Sequence, residues 1–280
     1  MTDAVAFAKK IVPARLHPLA QRIRLAVHRT TPRYRAWRYG KWPVLQCQIV
    51  YNKLGGYCMP HSSADRVASQ LLLRGYVYEP DTIEYIAKYA KHGDVIHAGA
   101  FFGDFLPGIS RACAPSCKIW AFEPDPENYR CALITILIND LRNVRLINAA
   151  LGEKGGTCSL VTSDADGRAL GELSYVAADQ GSGPDRGDTV TAQVVSIDEV
   201  VPQDSVISVL HLDIEGYETN ALAGALATIR RNRPLIIVET LPPKEWLAEF
   251  LFPLGYRIDG HLHKQNTVLV PTLSSAAAAE

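Results

Sequence analysis

The chain has 280 residues, of which 48% are hydrophobic, and its 29 basic and 29 acidic side chains give a formal net charge of zero. This composition favours an ordinary soluble globular protein with one large core and a smaller appendage. The six cysteines form no CxxC pair, and no apolar stretch approaches 18 residues, which argues against a disulfide framework and a membrane span. We therefore expect free thiols and a cytoplasmic protein.

The charges are unevenly distributed along the chain. Between Met1 and Lys53 there are eleven Lys and Arg residues and a single acid, Asp3, so the remainder is acidic. A basic arm of this kind is suited to nucleic acid, a membrane surface or an acidic partner. A solvated helical face is the simpler interpretation.

The first third of the sequence predicts a mainly helical extension over residues 1–91. Apolar residues recur near the helical period up to about Arg38, interrupted by prolines, so we expect short helices there. A strand is predicted over Leu45 to Tyr51, followed by a turn at Gly55 and Gly56. One helix then ends before Gly75, and another runs from Asp81 to about Lys91.

From Asp94 onward, predicted strands and helices alternate, which indicates an α/β fold with a parallel sheet. The predicted strands are VIHA, IWAF, VRLIN, VISVLHL and PLIIV, and a pair of strands follows within GYRIDGHLHKQNTVLVP. A helix is expected after Pro126 and another from Thr219 to Arg231. These elements place the main domain at residues 92–273.

Residues 155–196 interrupt the alternation. The segments TCSLVT, ELSYV and TVTAQVV predict antiparallel strands, which makes this part a β-rich insertion. Its second Gly- and Asp-rich run, ADQGSGPDRGD, is suited to act as a flap over the site. The last residues, 274–280, are of low complexity and predict a disordered tail.

The stretch from Asp94 to Tyr129 predicts a nucleoside-binding unit, because a buried strand, a glycine turn, a helix and a second strand ending in an acid follow one another. Gly99 and Gly103 let the backbone approach a ligand, and Glu123, twenty residues after Gly103, is placed to accept hydrogen bonds from both ribose hydroxyls. The rings of Phe101 and Phe102 and the anion of Asp104 disfavour a pyrophosphate. They suit a ligand with a cationic end and no phosphate, such as S-adenosylmethionine.

Three acids, Glu123, Asp213 and Glu239, each follow a predicted strand, so their carboxylates should share the ligand-binding edge of the sheet. A hydroxyl acceptor needs its proton removed, and Asp213 is the first candidate for this role, before Glu215 and His211. Asp213 and Glu239 are also placed to share a divalent cation through oxygen ligands, but the sequence leaves a metal undecided.

Seven segments in order resemble the FkbM-type methyltransferases, which use S-adenosylmethionine. They are RGYVYEPDT, GDVIHAGAFFGD, FEPDPENY, NAALGE, VVSIDEVV, LHLDIEGYETNALAGA and PLIIVET, between about Leu72 and Pro271. The resemblance implies a seven-stranded Rossmann-like (class I methyltransferase) sheet and O-methylation of sugars or natural products. It also implies a cofactor site made of Glu79, His97, Gly99, Ala100, Phe101, Gly103, Asp104, Glu123, Pro124, Asn148, Ala149 and Asp213.

Three positions depart from the family pattern. The first strand has His97 where the family usually has Asp, and the glycine turn has Phe101 where it usually has Asn. His211 replaces the usual Lys before the acidic motif. Asp104 is a candidate to take over the missing anion.

We therefore expect an S-adenosylmethionine-dependent O-methyltransferase acting on a saccharide or secondary metabolite, with a small-molecule or glycan acceptor and with self-association through the N-terminal helices as an option. Two alternatives remain open. A nucleic-acid-modifying methyltransferase would use the basic arm, although no aromatic-interleaved basic patch surrounds the catalytic rim. A non-catalytic cofactor-binding protein would explain His97 and Phe101. A nicotinamide oxidoreductase is disfavoured by the two phenylalanines.

Overall fold

The computed structural model describes residues 44–114, 116–164, 166, 169–176, 187–262 and 266–272. The expected N-terminal helices, residues 178–186 of the expected flap and the expected tail lie outside these ranges and stay predictions. The described residues from Gln46 onward belong to one compact unit.

The secondary structure alternates between strands and helices after an initial hairpin. The strands are β1 (Cys47–Asn52), β2 (Gly55–Pro60), β3 (Asp94–Ala98), β4 (Ile119–Phe122), β5 (Val144–Ile147), β6 (Ala150–Leu151), β7 (Gly156–Val161), β8 (Tyr175–Val176), β9 (Thr189–Val195), β10 (Ile207–Leu212), β11 (Leu235–Val238), β12 (Tyr256–Leu262) and β13 (Asn266–Pro271). The helices are α1 (Val67–Leu73), α2 (Pro80–Tyr89), α3 (Leu106–Ala112), α4 (Pro126–Ile138), α5 (Ile197–Val200), α6 (Glu218–Ala223), α7 (Leu226–Asn232) and α8 (Lys244–Phe250). Short 3₁₀ helices span His61–Ser63, Gly171–Leu173 and Phe252–Leu254.

The central sheet has seven strands in the order β12-β13-β11-β10-β3-β4-β5. Its strands are parallel except β13, which runs antiparallel to both neighbours. The order reverses between β10 and β3, and in such sheets a crevice opens beyond the carboxyl ends of the strands at the reversal. The predicted α/β class and seven-stranded sheet are confirmed.

Both faces of this sheet are buried, which explains why its strands read as continuous apolar runs. Ile96 and Ala98 of β3 pack with α6, α7 and α8 on one face. Val95 packs with α2 and α3 on the other face. The side chains of β3 thus alternate between two cores, and His97 follows Val95 onto the face of α2 and α3.

The β-rich insertion forms a second sheet in the order β6-β9-β7-β8. It starts earlier than expected, because β6 begins at Ala150, only two residues after the end of β5 at Ile147. The helix expected from Thr219 to Arg231 is instead two helices, α6 and α7. The break lies at Gly224, where a Cβ would stand 2.1 Å from the backbone oxygen of Gly152, so the chain passes too close to this sheet for a side chain.

Helix α4 starts directly behind the second strand of the predicted nucleoside unit. The Asp125 carboxylate caps it by accepting hydrogen bonds from the backbone N–H groups of Glu127 (2.7 Å) and Asn128 (3.0 Å). Pro126 occupies the first turn, where its missing N–H has no partner to lose. Within the described part of the chain, no helix is both long and apolar enough to cross a bilayer.

Candidate active site

The glycine turn after β3 brings the ends of two neighbouring strands into direct contact. Gly99 has a φ of 81°, and a Cβ at this position would lie 1.8 Å from the backbone oxygen of Asp213. Only glycine fits both constraints. The turn is closed by the N–H groups of Gly99 and Ala100, which donate to the Phe122 carbonyl oxygen at 3.1 and 3.0 Å.

Glu123 lies at the tip of β4 and holds this turn. Its Oε2 accepts a hydrogen bond from the Phe101 N–H (2.7 Å), and its Oε1 accepts one from the Asp125 N–H (2.8 Å). The side chain is 4% exposed, and burial, followed by the nearby Asp125 charge, raises the pKa of Glu123 to about 8. The Asn128 side chain also hydrogen-bonds to this carboxylate, which leaves one lone pair to accept a hydrogen bond from a ligand hydroxyl.

A group of carboxylates occupies the other side of Gly99. Asp213, Glu215 and Glu239 each place one carboxylate oxygen within 4.8 Å of the others. Asp213 shares a hydrogen bond with Glu239, and the pKa of Asp213 lies well above its ordinary value because of burial and then the Glu239 charge. Like charges this close repel each other when both are ionised, which favours the protonated form of Asp213.

Glu79 adds a fourth acid to the same cavity from the start of α2. Only 3% of it is exposed, and its Oε2 accepts hydrogen bonds from Thr82 Oγ1 (2.9 Å) and Asn266 Nδ2 (2.7 Å). Asn266 lies on β13, so this contact ties the antiparallel strand to the site. The carboxylate is thereby fixed in orientation.

Two acidic residues and one aromatic residue of the cavity wall have a strained backbone conformation. Glu79, Phe101 and Glu215 have φ values of 41°, 49° and 53°, in the left-handed region that side chains other than glycine avoid. All three line the cavity. Such strain often accompanies functional sites, because the surrounding structure must hold it in place.

The cavity has a volume of about 420 Å³, within the range of small-molecule sites. Part of its wall comes from Asp65, Arg66 and Val67, before and at the start of α1. Another part comes from the insertion, namely Gly171, Leu173, Ser174 and Val176. The two parts are joined, since Arg66 Nη2 donates to the Ala169 oxygen. The insertion therefore closes the cavity above the strand ends.

The structure brings nine of the expected site residues into the cavity wall: Glu79, Gly99, Phe101, Asp104, Glu123, Pro124, Ala149, Asp213 and Glu215. Ala100, Gly103 and Asn148 lie behind it. Asn148 Nδ2 donates to the backbone oxygens of Glu123 (2.7 Å) and Pro124 (3.2 Å), so this residue supports the turn that presents Glu123.

His97 and His211 are not part of the cavity wall. They face each other across β3 and β10, 1% and 0% exposed, with their Nδ1 atoms 2.9 Å apart. Burial lowers the pKa of His97 to about 4, and burial together with His97 lowers the pKa of His211, so both rings are neutral and one donates to the other. Because His211 does not reach the cavity, we assign it no proton transfer.

Sequence reasoning missed several wall residues, among them Arg66, Tyr78, Tyr217 and Asn266. Tyr217 directly follows the predicted acidic motif, so its position could have been found. Asn266 had no local signal, because its partner Glu79 is 187 residues away in the chain.

The fold and the site together define the class. A sheet with one antiparallel strand next to the edge, a glycine turn after the first central strand and an acid at the end of its neighbour are the features of the Rossmann-like class I methyltransferases. Residues 97–265 match the Methyltransferase FkbM domain, which is more than half of the chain. The protein therefore belongs to the FkbM methyltransferase family.

Solved structures with a similar fold include methyltransferase FkbM from Methylobacillus flagellatus KT (18% identity, 64% of this chain and 43% of that chain covered, TM-score 0.44). A putative O-methyltransferase from Klebsiella pneumoniae shares 10% identity over 70% of this chain and 82% of its own, with a TM-score of 0.42. A methyltransferase from Geobacter sulfurreducens shares 14% identity over 88% and 98%, with a TM-score of 0.42. This chain thus spans less than half of the Methylobacillus chain, and no curated protein matches it.

Proposed function

We propose that this protein transfers a methyl group from S-adenosylmethionine to a hydroxyl oxygen of a saccharide or secondary metabolite. The observation that carries the proposal is that Gly99 lies between two ends of one cavity. The buried Glu123 lies on one side, and the close carboxylates of Asp213 and Glu239 lie on the other. The first end suits a ribose, and the second suits a cationic centre and an acceptor hydroxyl.

The residues present fit this cofactor. Glu123 has a free lone pair for a ribose hydroxyl, and Pro124 and Ala149 offer an apolar wall for adenine. Gly99 has no side chain that could block the cofactor. Glu79 and Asp104 supply anions for an ammonium group. Bound here, S-adenosylmethionine would supply an electrophilic methyl group on a positively charged sulfur.

In this proposal Asp213 accepts the proton of the acceptor hydroxyl. Burial and the Glu239 charge raise the pKa of Asp213, so once deprotonated this carboxylate is a stronger base than an exposed one. Glu239 stabilises the protonated form by sharing the hydrogen bond, and Glu215, also in the wall, is the second candidate. The main contribution of the protein is alignment of the two reactants.

Calorimetry with S-adenosylmethionine tests the binding half of the proposal. Glu123→Ala should weaken binding by about 100-fold, because it removes the carboxyl group that accepts a hydrogen bond from the ribose and holds the Phe101 N–H. Glu123→Gln, which keeps one of the two backbone contacts, guards against a folding defect. The exposed Glu153→Ala is the matched control and should bind like the wild type.

Measurements of methyl transfer test the second part of the proposal, the catalytic role of Asp213. With radiolabelled S-adenosylmethionine and a panel of saccharides and hydroxylated natural products, Asp213→Asn should lose turnover and keep cofactor affinity within about threefold. The exposed Asp204→Asn is its control. The reverse pattern, in which Asp213→Asn loses binding and Glu123→Ala loses only turnover, contradicts these roles.

The same experiment separates the alternatives. Turnover only on RNA would favour the nucleic-acid methyltransferase, and tight binding with no turnover on any acceptor would favour the non-catalytic protein. Loss of turnover in EDTA with recovery on adding Mg²⁺ would replace the base role by a metal at Asp213, Glu215 and Glu239. We place the reaction in the cytoplasm, in keeping with six cysteines that all carry free thiols.

A further inference from the structure

The charges in the cavity wall are uneven. Seven acids line it, whereas Arg66 is its single basic residue in the part of the chain that the structure describes. The acids Glu79, Asp104 and Glu123 are 3%, 7% and 4% exposed, so they lie deep in the cavity. These acids suit a positively charged cofactor, but a cation such as Arg66 does not. Arg66 therefore points to a second ligand of opposite charge.

Arg66 lies at the mouth of the cavity. It directly precedes helix α1, and its neighbours Asp65 and Val67, which also line the wall, are both exposed. The insertion adds Leu173 to the same wall, and 42% of this residue is exposed. A group bound by Arg66 thus lies farther out than a cofactor bound by the deep acids. This is the part of the cavity that a methyl acceptor enters first.

The Arg66 side chain is held in position by the insertion. Its Nη2 donates to the Ala169 oxygen, and its Cγ lies 3.3 Å from the point that a Cβ on Gly171 would occupy. Gly171 has a φ of 61°, so this residue combines a left-handed turn with room for the arginine stem. A guanidinium that is already held in place loses little side-chain entropy when it binds a ligand.

The positive charge of Arg66 has no counter-ion among the described residues. No ion pair includes Arg66, and the Ala169 oxygen that it contacts is neutral. Its Nε is buried and has no acceptor. A guanidinium has five N–H donors, so several are left for a ligand. Because charges removed from water are normally paired, an anion that enters the cavity is the partner that this side chain lacks.

We propose that Arg66 binds a carboxylate group of the methyl acceptor, which makes the acceptor a hydroxylated carboxylic acid. This inference rests on the proposed methyl transfer and narrows its substrate. The two oxygens of a carboxylate match the planar guanidinium. Its single negative charge is also repelled less by the acids of the wall than the two charges of a phosphate monoester. Val67 and Leu173 add exposed apolar surface to the wall, which favours an acid with an apolar ring or chain over a sugar.

The acceptor would span the cavity from its mouth to its acidic floor. Its carboxylate stays at Arg66, and its hydroxyl reaches inward to Asp213. The hydroxyl oxygen forms a bond to the methyl carbon while the bond from that carbon to sulfur breaks, and the electron pair of the broken bond stays on sulfur. The hydroxyl proton passes to Asp213. Arg66 takes no part in these steps and determines only which acceptor is bound.

Calorimetry on the full chain tests the inference without requiring turnover. With S-adenosylhomocysteine present, a panel of hydroxybenzoic and 3-hydroxyalkanoic acids is compared with the matching carboxamides. At least one acid should bind the wild type at least about tenfold more tightly than its amide, because only the acid forms a charge-assisted hydrogen bond with Arg66. Arg66→Gln should reduce this preference to less than about threefold. The exposed Arg74→Gln is the matched control and should keep it.

Two further variants separate the charge from the apolar contact. Arg66→Lys keeps a cation and a donor for the Ala169 oxygen but loses the planar fork, so its preference for the acid should lie between those of the wild type and Arg66→Gln. Leu173→Ser should weaken acid and amide alike, by about fivefold, and leave the preference unchanged. Val206→Ser, at a residue that is 61% exposed outside the cavity wall, is its control. Circular dichroism checks that every variant is folded.

Three results would overturn the inference. One is that no acid of the panel is preferred over its amide, or that the preference survives in Arg66→Gln. Another is tighter binding of phenyl phosphate, a phosphate monoester, than of any acid. The third is a loss of S-adenosylmethionine affinity of more than tenfold in Arg66→Gln, which would assign this residue to the cofactor.

The proposed function can fail separately. It requires that S-adenosylmethionine binds and that Glu123→Ala weakens this binding, and neither result depends on the choice between acid and amide. If the cofactor does not bind, the acids and amides can still be compared on the protein alone. A neutral acceptor that is methylated in preference to every acid would confirm the methyl transfer and refute the role of Arg66.

Discussion

At the scale of single residues, two departures from the family pattern lie in direct contact with each other. His97 stands where the family usually has Asp, and His211 where it usually has Lys, 114 residues apart in the sequence. Their Nδ1 atoms lie 2.9 Å apart on facing positions of β3 and β10. A neutral hydrogen-bonded pair thus occupies positions that an anion and a cation could also fill together.

Because His97 and His211 are buried against each other, we predict that a charged side chain at one position destabilises the fold unless the other position carries the opposite charge. His211→Lys alone buries an ammonium group beside a neutral ring and should lower the free energy of unfolding by about 3 kcal/mol. Adding His97→Asp supplies the missing carboxylate and should recover most of the loss. Adding His97→Asn supplies no charge and should recover little. Urea unfolding of these variants measures the coupling, and equal losses in the two double variants would refute the pairing.

At the scale of elements, one side chain of α4 connects three separate pieces of structure. Thr135 is fully buried, its Oγ1 accepts a hydrogen bond from the Cys58 N–H of β2 (2.9 Å), and it donates to the Phe102 oxygen of the glycine turn (2.8 Å). Its methyl group also lies 3.1 Å from the place of a Cβ on Gly103. The hairpin, the helix and the cofactor turn therefore share one contact.

Replacing Thr135 by Val should uncouple these elements. The shape is kept, but a buried N–H and a buried carbonyl lose their partner, which should cost about 3 kcal/mol of unfolding free energy. Because one of the two groups belongs to the glycine turn, affinity for S-adenosylmethionine should fall as well. Urea unfolding and calorimetry measure both effects, with the exposed Thr157→Val as control. A loss of stability with unchanged affinity would show that the turn is held by other contacts.

The elements themselves could largely be predicted from the sequence, because their patterns are local. β3, β4 and β10 are apolar runs, and Gly99, Glu123 and Asp213 directly follow them. The ends of these runs allowed the candidate site to be predicted. The two-residue strand β6 was missed, since so short a segment has no period. Partnerships between distant residues, such as Asn266 with Glu79 or His97 with His211, depend on strand order and register, which no local pattern contains.

At the scale of the whole molecule, buried titratable groups make stability depend on pH in opposite directions. The pKa of His97 is lowered from 6.5 to about 4, so the unfolded chain binds more protons in this window and stability is lost as the pH falls through it. The pKa of Glu123 is raised from 4.5 to about 8, so the folded protein binds more protons and stability is lost as the pH rises. Asp213 acts in the same direction as Glu123.

Above pH 6.5 His97 is neutral in both the folded and the unfolded chain, so of these groups only the carboxyl groups still make stability depend on pH. The free energy of unfolding of the cofactor-free protein should therefore fall between pH 6.5 and 8, by up to about 1.4 kcal/mol per pH unit for each proton. Glu123→Gln should have a smaller slope, because Gln does not titrate. Urea unfolding at a series of pH values measures both slopes, and identical slopes would mean that Glu123 is ionised throughout.

The left-handed backbone at Glu79, Phe101 and Glu215 determines which substitutions at these positions would stabilise the protein. Glycine would take up each conformation without strain, whereas each present residue costs on the order of 1 kcal/mol. Selection for durability alone would therefore drift these three positions towards glycine. With two acids and an aromatic ring at these positions, this chain carries that cost at the wall of its cavity, where those side chains can contact a ligand.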